Sequence, residues 1–339
     1  GVNTDYAVVI RVRDGRGCQA TLSQTIAQDS GDGWVAVARD NGEPSSSFAV
    51  LSSSGTDWTG SAITIRSGAE TPIGLGVSGG AILLHFGSNI GVWRSTNRGS
   101  SWANASGALG FSTDANCRRI FNNRGRWFIV PTTGTLRYSD DDGTTWTASS
   151  GGQAFRATEI IAESSANTLR TMGQSGDSDR STNNGASWTG HSTLMGFQPW
   201  CGANNGGTFV MFGAATPPID RIARSTDFGF TFSAVTNPVA GSTFNRNCAA
   251  AIGSTFVAVT TAGQIIVSTD NGASFSLVSG YTFPSTPRQV ASGGGRFIIV
   301  GDNGAIATAL ASSPSSWSTV PSGTFGTLTI QAIAYIPPA

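Results

Sequence analysis

Five copies of one eight-residue turn constrain this 339-residue chain more than any other feature. The copies are Ser95–Trp102, Ser139–Trp146, Ser181–Trp188, Ser225–Phe232 and Ser268–Phe275. Each places Ser first, Asp or Asn third, Gly fifth and an aromatic eighth. Their first serines stand 44, 42, 44 and 43 residues apart. One period outward lie two degenerate copies, Leu51–Trp58 and Leu310–Trp317, with Leu first and Ser third; the second also has Pro314 in place of the glycine. Aromatics at 58, 102, 146, 188, 232, 275 and 317 thus mark seven periods. A unit of about 40–50 residues, repeated through a chain of short apolar runs, implies a β-propeller of four-stranded blades.

The turn has a mechanical logic. A carboxylate or amide at Asn97, Asp141, Asn183, Asp227 or Asp270 can accept hydrogen bonds from N–H groups further round the turn. Gly99, Gly143, Gly185, Gly229 and Gly272 supply the positive φ that such a turn demands. Trp102, Trp146, Trp188, Phe232 and Phe275 can then fold back and anchor the hairpin. On these residues the motif resembles the Asp-box, or BNR repeat, of sialidases, sortilin-like receptors, xyloglucanases and photosystem-assembly propellers. The resemblance implies that the boxes are structural and lie away from the functional face.

Between boxes, each period reads as four strands. The third is the plainest: an inner strand at Cys117–Phe121, a turn at Asn122–Arg126, an apolar run at Trp127–Val130 fit for burial on both faces, then Thr135–Ser139 and Thr144–Thr147 around the box. Trp34–Ala38, Ile82–Phe86, Thr168–Met172, Phe209–Phe212, Phe256–Val259 and Phe297–Val300 occupy the same second-strand position. No segment sustains a 3.6-residue period, so the fold is read as all-β. The organisation expected is an N-terminal strand segment over 1–20, a propeller over 21–322 and a C-terminal closing strand within 323–339. Tyr6–Arg13 and Thr329–Ile336 are strand-like. They form either one split blade, which would make eight, or an extra pair or docking element beside a seven-bladed ring. Seven blades are preferred.

The charged fraction is 12% and the net charge zero, which argues against nucleic acid as a partner. No apolar run is long enough for a membrane-spanning helix, and the N-terminus lacks a signal-peptide layout. All twenty basic side chains are Arg, a usage that fits a GC-rich genome such as those of many bacteriophages. The short hydroxyls and amides that dominate the composition suit a virion or extracellular setting. The four cysteines, at 18, 117, 201 and 248, form no CxxC pair, so no metal is expected. Adjacent blades are expected to hold Cys117, Cys201 and Cys248 too far apart to bridge, leaving buried free thiols. No cofactor is expected.

Two sets of residues are candidates for a ligand site. Phe111, Phe155 and Phe197 each follow a box aromatic by nine residues, a regularity that suits wedging blades together. Phe111 is still kept as a candidate contact surface, and Trp200 and Tyr281 break the pattern, which favours them as ring-stacking faces. Arg118, Arg246 and Arg288 stand 28 or 29 residues before their box aromatics. They are therefore near-equivalent around the axis, where guanidinium groups could hold a carboxylate or phosphate; the plain reading is that each pairs with a local Asp or loop carbonyl. Sialidases place an arginine triad in this region, so the resemblance implies an anionic glycan. Arg94, Arg180 and Arg224 directly precede box serines and are expected to stack on the box aromatic.

Glycoside hydrolysis calls for paired carboxyl groups, or a Tyr activated by Glu. Glu occurs only at 43, 70, 159 and 163, and only Tyr281 is a loop tyrosine placed to serve. The sialidase Arg-Ile-Pro signature is absent. His85 and His191 suggest no triad, and His85 reads as a satisfied core residue. A non-enzymatic propeller is therefore expected, acting as a structural or receptor- and glycan-binding component of a virion, in a bacteriophage tail or capsid surface. Its partners would be other virion proteins or a cell-surface glycan. A secreted lectin-like module is the alternative, and a sialidase-like hydrolase the second alternative.

Overall fold

The computed structural model describes residues 6–13, 19–26, 32–40, 46–68, 71–86, 91–106, 117–131, 135–151, 157–162, 167–173, 176–193, 197–214, 221–239 and 241–338. These residues form seven blades arranged as a β-propeller, with two short 3-10 turns and no α-helix among them. Every blade holds four strands in antiparallel order from the axis outward.

Each blade forms where the sequence supplies a continuous apolar run for its second strand. Ala81–Phe86, Arg126–Pro131, Leu169–Gly173, Phe209–Ala214, Thr255–Thr260 and Arg296–Gly301 are the second strands of blades two to seven. They are buried along nearly their whole length, because neighbouring blades cover both faces. Phe128, Val130 and Leu169 pack with Trp188; Val210, Phe212 and Phe256 pack with Phe275. The core is thus a ring of interblade seams. In blade three the outer strand is short and begins after the aromatic: only Thr147–Ala148 pairs with Arg137–Ser139, so the expected outer strand at Thr144–Thr147 is displaced outward along the chain. In blade four, Ser150–Gly151 adds a fifth, parallel strand to Ser187–Thr193.

Closure is the seven-bladed solution. Ile330–Ile336 is the inner strand of blade one and pairs with Gly33–Asp40, which continues into Ser46–Ser52 and Ile63–Ser67. Tyr6–Arg13 instead pairs with Gln19–Ile26 as a separate hairpin, so the split eighth blade does not form and the N-terminal segment runs past residue 20. The seam around the closing strand is tight. Phe325 packs on Phe48 and Trp58, with ring centroids 5.9 and 5.8 Å away. Tyr335 meets Trp34 at 5.3 Å and donates its hydroxyl to Asp32 at 2.7 Å. A Cβ on Gly293 of blade seven would lie 2.1 Å from Cγ of Tyr335. Only glycine lets that backbone approach.

The repeat turns behave as their chemistry requires. In Ser139–Trp146 the serine hydroxyl accepts from Gly143 N–H at 2.9 Å and donates to Asp141 at 2.8 Å, and Asp141 accepts from Thr145 N–H at 2.8 Å. The same set recurs at Ser95, Ser181, Ser225 and Ser268. The fourth and fifth positions both take positive φ, for example Asp142 at 51° and Gly143 at 81°. The indole N–H of Trp102 and Trp146 donates to the carbonyl of the turn glycine. At Trp188 the Ser149 hydroxyl takes that carbonyl at 2.7 Å, and the indole nitrogen meets no partner among the described residues.

Arginines join each turn to its neighbour. Arg94 reaches the carbonyls of Asp141 and Asp142, Arg126 that of Asn184, and Arg224 that of Asn271. The expectation that Arg94 and Arg224 stack on their own box aromatic is therefore corrected: two successive positive-φ residues turn carbonyls outward toward the preceding blade, and a guanidinium satisfies them. Arg180 lies 6.0 Å from the ring of Phe230, a residue of the next blade's turn.

Cys201 and Cys248 form a disulfide between the inner strands of blades five and six. The free-thiol expectation is thus overturned for this pair. Blades diverge outward but converge at the axis, where these Cα atoms are 6.0 Å apart, within bridging range. Cys18 and the side chain of Cys117 lie outside the described residues.

Candidate functional site

Every inner strand carries a β-bulge near its start. In blade two Pro72 faces Phe86 and Gly74 faces His85, leaving Ile73 unpaired. The same step leaves Arg118, Thr158, Trp200 and Arg288 as the extra residue in blades three, four, five and seven. In blade one the extra residue is Gln331, between Ile330 and Ala332. Blade six has a wider interruption: Phe244 faces Thr260 and Ala249 faces Ala258, so residues 245–248 lie opposite Val259 alone. Within it, Asn247 takes a φ of 56°. A bulge breaks the ladder and re-aims a side chain. Seven bulges at one level make a rim of re-aimed side chains around the axis.

Four of the sequence candidates belong to this rim. Arg118, Trp200 and Arg288 occupy equivalent bulge positions, and Arg246 lies within the wide bulge. The side chain of Arg118 is outside the described residues, as is Phe111. The guanidinium of Arg288 is held by Asp302 in a bidentate pair, Nε to Oδ1 at 2.6 Å and Nη2 to Oδ2 at 2.8 Å. That pair holds the Asp302 carboxyl below its ordinary range. The guanidinium carbon of Arg246 lies 5.9 Å from the centroid of Trp200, a cation–π arrangement. Cys201 directly follows Trp200 and Cys248 lies two residues after Arg246, so their bridge clamps the two bulges side by side.

Tyr281 stands apart from the rim. It packs half-buried against the seam of blades six and seven, and its hydroxyl shares a hydrogen bond with Thr319 at 3.0 Å. Phe197, Phe244 and Phe283 are buried in interblade seams, as wedges should be. Of the acidic candidates, Glu43, Glu70 and Glu163, and the side chain of Glu159, lie outside the described residues. No group of three or more His, Cys, Asp and Glu side chains among the described residues is placed to hold a metal ion.

From the bulges at Ile73 and Asn247 inward, inner strands of blades two, three, five, six and seven line a cavity of about 360 Å³. Its polar lining is made of amides: Asn122, Asn123, Asn204, Asn247 and Gln289. Sequence reasoning missed these residues. The sequence places Asn122 in the turn at Asn122–Arg126, whereas the inner strand Cys117–Asn123 runs through it. The available signal was the recurrence of Asn or Gln inside inner strands, where an apolar residue would be expected.

A family model described as the DUF6242 beta propeller domain matches residues 78–199. Three solved propellers resemble most of the chain. The structure titled "YCF48 bound to D1 peptide" aligns with a TM-score of 0.57 at 12% identity, covering 78% of this chain and 90% of that one. YCF48 from Cyanidioschyzon merolae aligns with a TM-score of 0.54 at 9% identity, covering 79% and 96%. The structure titled "Crystal structure of Nidogen/Laminin Complex" aligns with a TM-score of 0.51 at 10% identity, covering 90% and 98%. No curated protein sequence matches significantly.

Proposed function

We propose that the chain is a non-enzymatic, Asp-box-type propeller that binds an anionic glycan through the bulged rim, as a receptor-binding component of a virion surface. The observation that carries the reading is the disulfide-clamped pair of Trp200 and Arg246. An indole face stacks on the C–H face of a sugar, while a guanidinium pairs with a carboxylate in bidentate fashion. The two together suit a sialic or uronic acid. Five carboxylates have structural partners, which suits a binding role: Asp141, Asp227 and Asp270 are engaged within the turns, Asp140 with Arg126, and Asp302 with Arg288. The titles of the YCF48 and nidogen structures name a peptide and a protein partner for those propellers; a binding platform is a common use of the fold. A secreted lectin-like module would use the same rim.

The test is a glycan array carrying neutral, sialylated and uronic-acid glycans, with released sugar assayed in the same wells. Trp200→Ala and Arg246→Ala are expected to lose acidic-glycan binding. Arg288→Ala is expected to retain it, because that guanidinium is occupied by Asp302. Equal binding by all three variants, or no binding by the parent, refutes the rim reading. Turnover of a bound glycan refutes the non-enzymatic part.

A further inference from the structure

Five of the repeat turns end in tryptophan, and in four of them the indole N–H donates to the turn carbonyl beneath it. Trp58 donates to Gly55 at 3.1 Å, Trp102 to Gly99 at 3.0 Å, Trp146 to Gly143 at 2.9 Å and Trp317 to Pro314 at 2.8 Å. Trp188 does not. Its ring nevertheless stands in the same place over its turn: a Cβ built on Gly185 would lie 3.3 Å from Cζ2 of Trp188, against 3.5 Å between Gly143 and Cζ2 of Trp146. The difference lies in the carbonyl. Gly185 C=O accepts from the Ser149 hydroxyl at 2.7 Å, and the buried indole nitrogen meets no partner among the described residues. Two donors face one carbonyl, and only the hydroxyl is served. An indole N–H left unmet in the core bears the full desolvation cost of that group.

The hydroxyl comes from a strap, residues 149–151, that crosses from blade three to blade four. Ser149 N–H donates to Leu136 of blade three and Ser150 N–H to Ala186 of the blade-four turn. Ser150–Gly151 then lies parallel to Ser187–Trp188 as the added outer strand. Gly151 takes a φ of 68°, and a Cβ there would run into the Trp188 carbonyl, so glycine is what seats the strap. In blade six the equivalent residue, Val278, makes the same backbone bond to Ile265 but has no hydroxyl to offer. We infer that residues 149–151 form a reversible strap: when it lifts, the Trp188 indole takes the Gly185 carbonyl, as its four counterparts take theirs, and the outer edge of Ser187–Thr193 opens to pairing with another extended segment. The indole bond recovered on lifting offsets part of what the strap gives up, which brings the two arrangements close in free energy. The inference rests on neither the rim nor its ligand.

Residue-resolved amide exchange and indole NMR on the full chain test this, with exchange read relative to amides of the buried strand Arg126–Pro131. Ser149→Ala removes the competing hydroxyl. The Ser150 amide is then expected to exchange roughly tenfold faster, the effect of losing about one net hydrogen bond. The Trp188 indole proton is expected to shift toward the resonances of Trp102 and Trp146. Trp188→Phe keeps an aromatic anchor, as Phe232 and Phe275 do in blades five and six, and removes the unmet donor. Lifting then recovers nothing, and Ser150 exchange is expected to slow several-fold. A strap that merely packs on the indole would loosen instead, so the direction of the Trp188→Phe change separates a switch from a fixed contact. Unchanged Ser150 exchange in Ser149→Ala, an unmoved Trp188 indole resonance in that variant, or unchanged or faster exchange in Trp188→Phe would each overturn the inference.

Discussion

His85 makes the acid stability of this protein predictable. It lies on the second strand of blade two, Ala81–Phe86, every residue of which is buried. Alternation puts it on the same face as Ala81 and Leu83, which pack against Val92, Ile120, Trp127 and Ile129. The imidazole is buried, and neither ring nitrogen meets a hydrogen-bond partner among the described residues. It is therefore a core residue but, among those residues, an unsatisfied one, contrary to the sequence expectation. Burial disfavours the charged form and pushes its pKa down from 6.5 to about 4.

The unfolded chain takes up the proton as pH falls through about 6.5, while the folded chain resists until about 4. Stability is thus lost across that window, and the loss levels off below it. A shift of this size corresponds to about 3 kcal/mol. The turn carboxylates act in a lower window. Hydrogen bonds from Ser274 and Ser268 hold Asp270 down to about 2, so its contribution is present above the unfolded value of 3.8 and lost only as pH falls toward 2. The assay is urea unfolding at pH 7.0, 5.5 and 4.5 for the parent and His85→Leu. The parent is expected to lose about 2–3 kcal/mol over that range, and most of the loss should vanish in His85→Leu. At pH 7 the variant should be at least as stable as the parent, since it removes a buried imidazole with unmet nitrogens. Equal pH slopes in the two proteins would refute the reasoning, as would an NMR titration placing the His85 pKa near 6.5.

Two further outcomes follow from the seams. Replacing Cys201 and Cys248 by Ser releases a loop spanning 47 residues, worth about 4 kcal/mol on the chain-entropy account; calorimetry should show Tm falling by about 6 °C, and acidic-glycan binding should weaken as Trp200 and Arg246 separate. Gly293→Ala drives a methyl into the Tyr335 ring and should cost about 1–3 kcal/mol, read as a lower urea midpoint, whereas Gly295→Ala, with open space around its Cβ position, should cost less despite its positive φ.

The repeat period and the apolar runs were enough, by themselves, to determine an all-β propeller with four-stranded blades. They encode local geometry: a turn that closes on its own Ser, Asp and Gly, followed by a strand apolar on both faces, has few other ways to satisfy its backbone and bury its side chains. Blade number hung on the termini, since Ile330–Ile336 pairs with Gly33–Asp40 across the whole chain, and no local pattern names a distant partner. The same limit applied to the site. Equivalence of Arg118 and Arg288 was legible as spacing, but their bulges, the addition of Trp200 to the same ring position, and the capture of Arg288 by Asp302 depend on strand register. The Cys201–Cys248 bridge and the amide-lined cavity depend on how closely inner strands converge at the axis. That distance is set by the packing of seven blades into a closed ring, and it appears only when the ring closes.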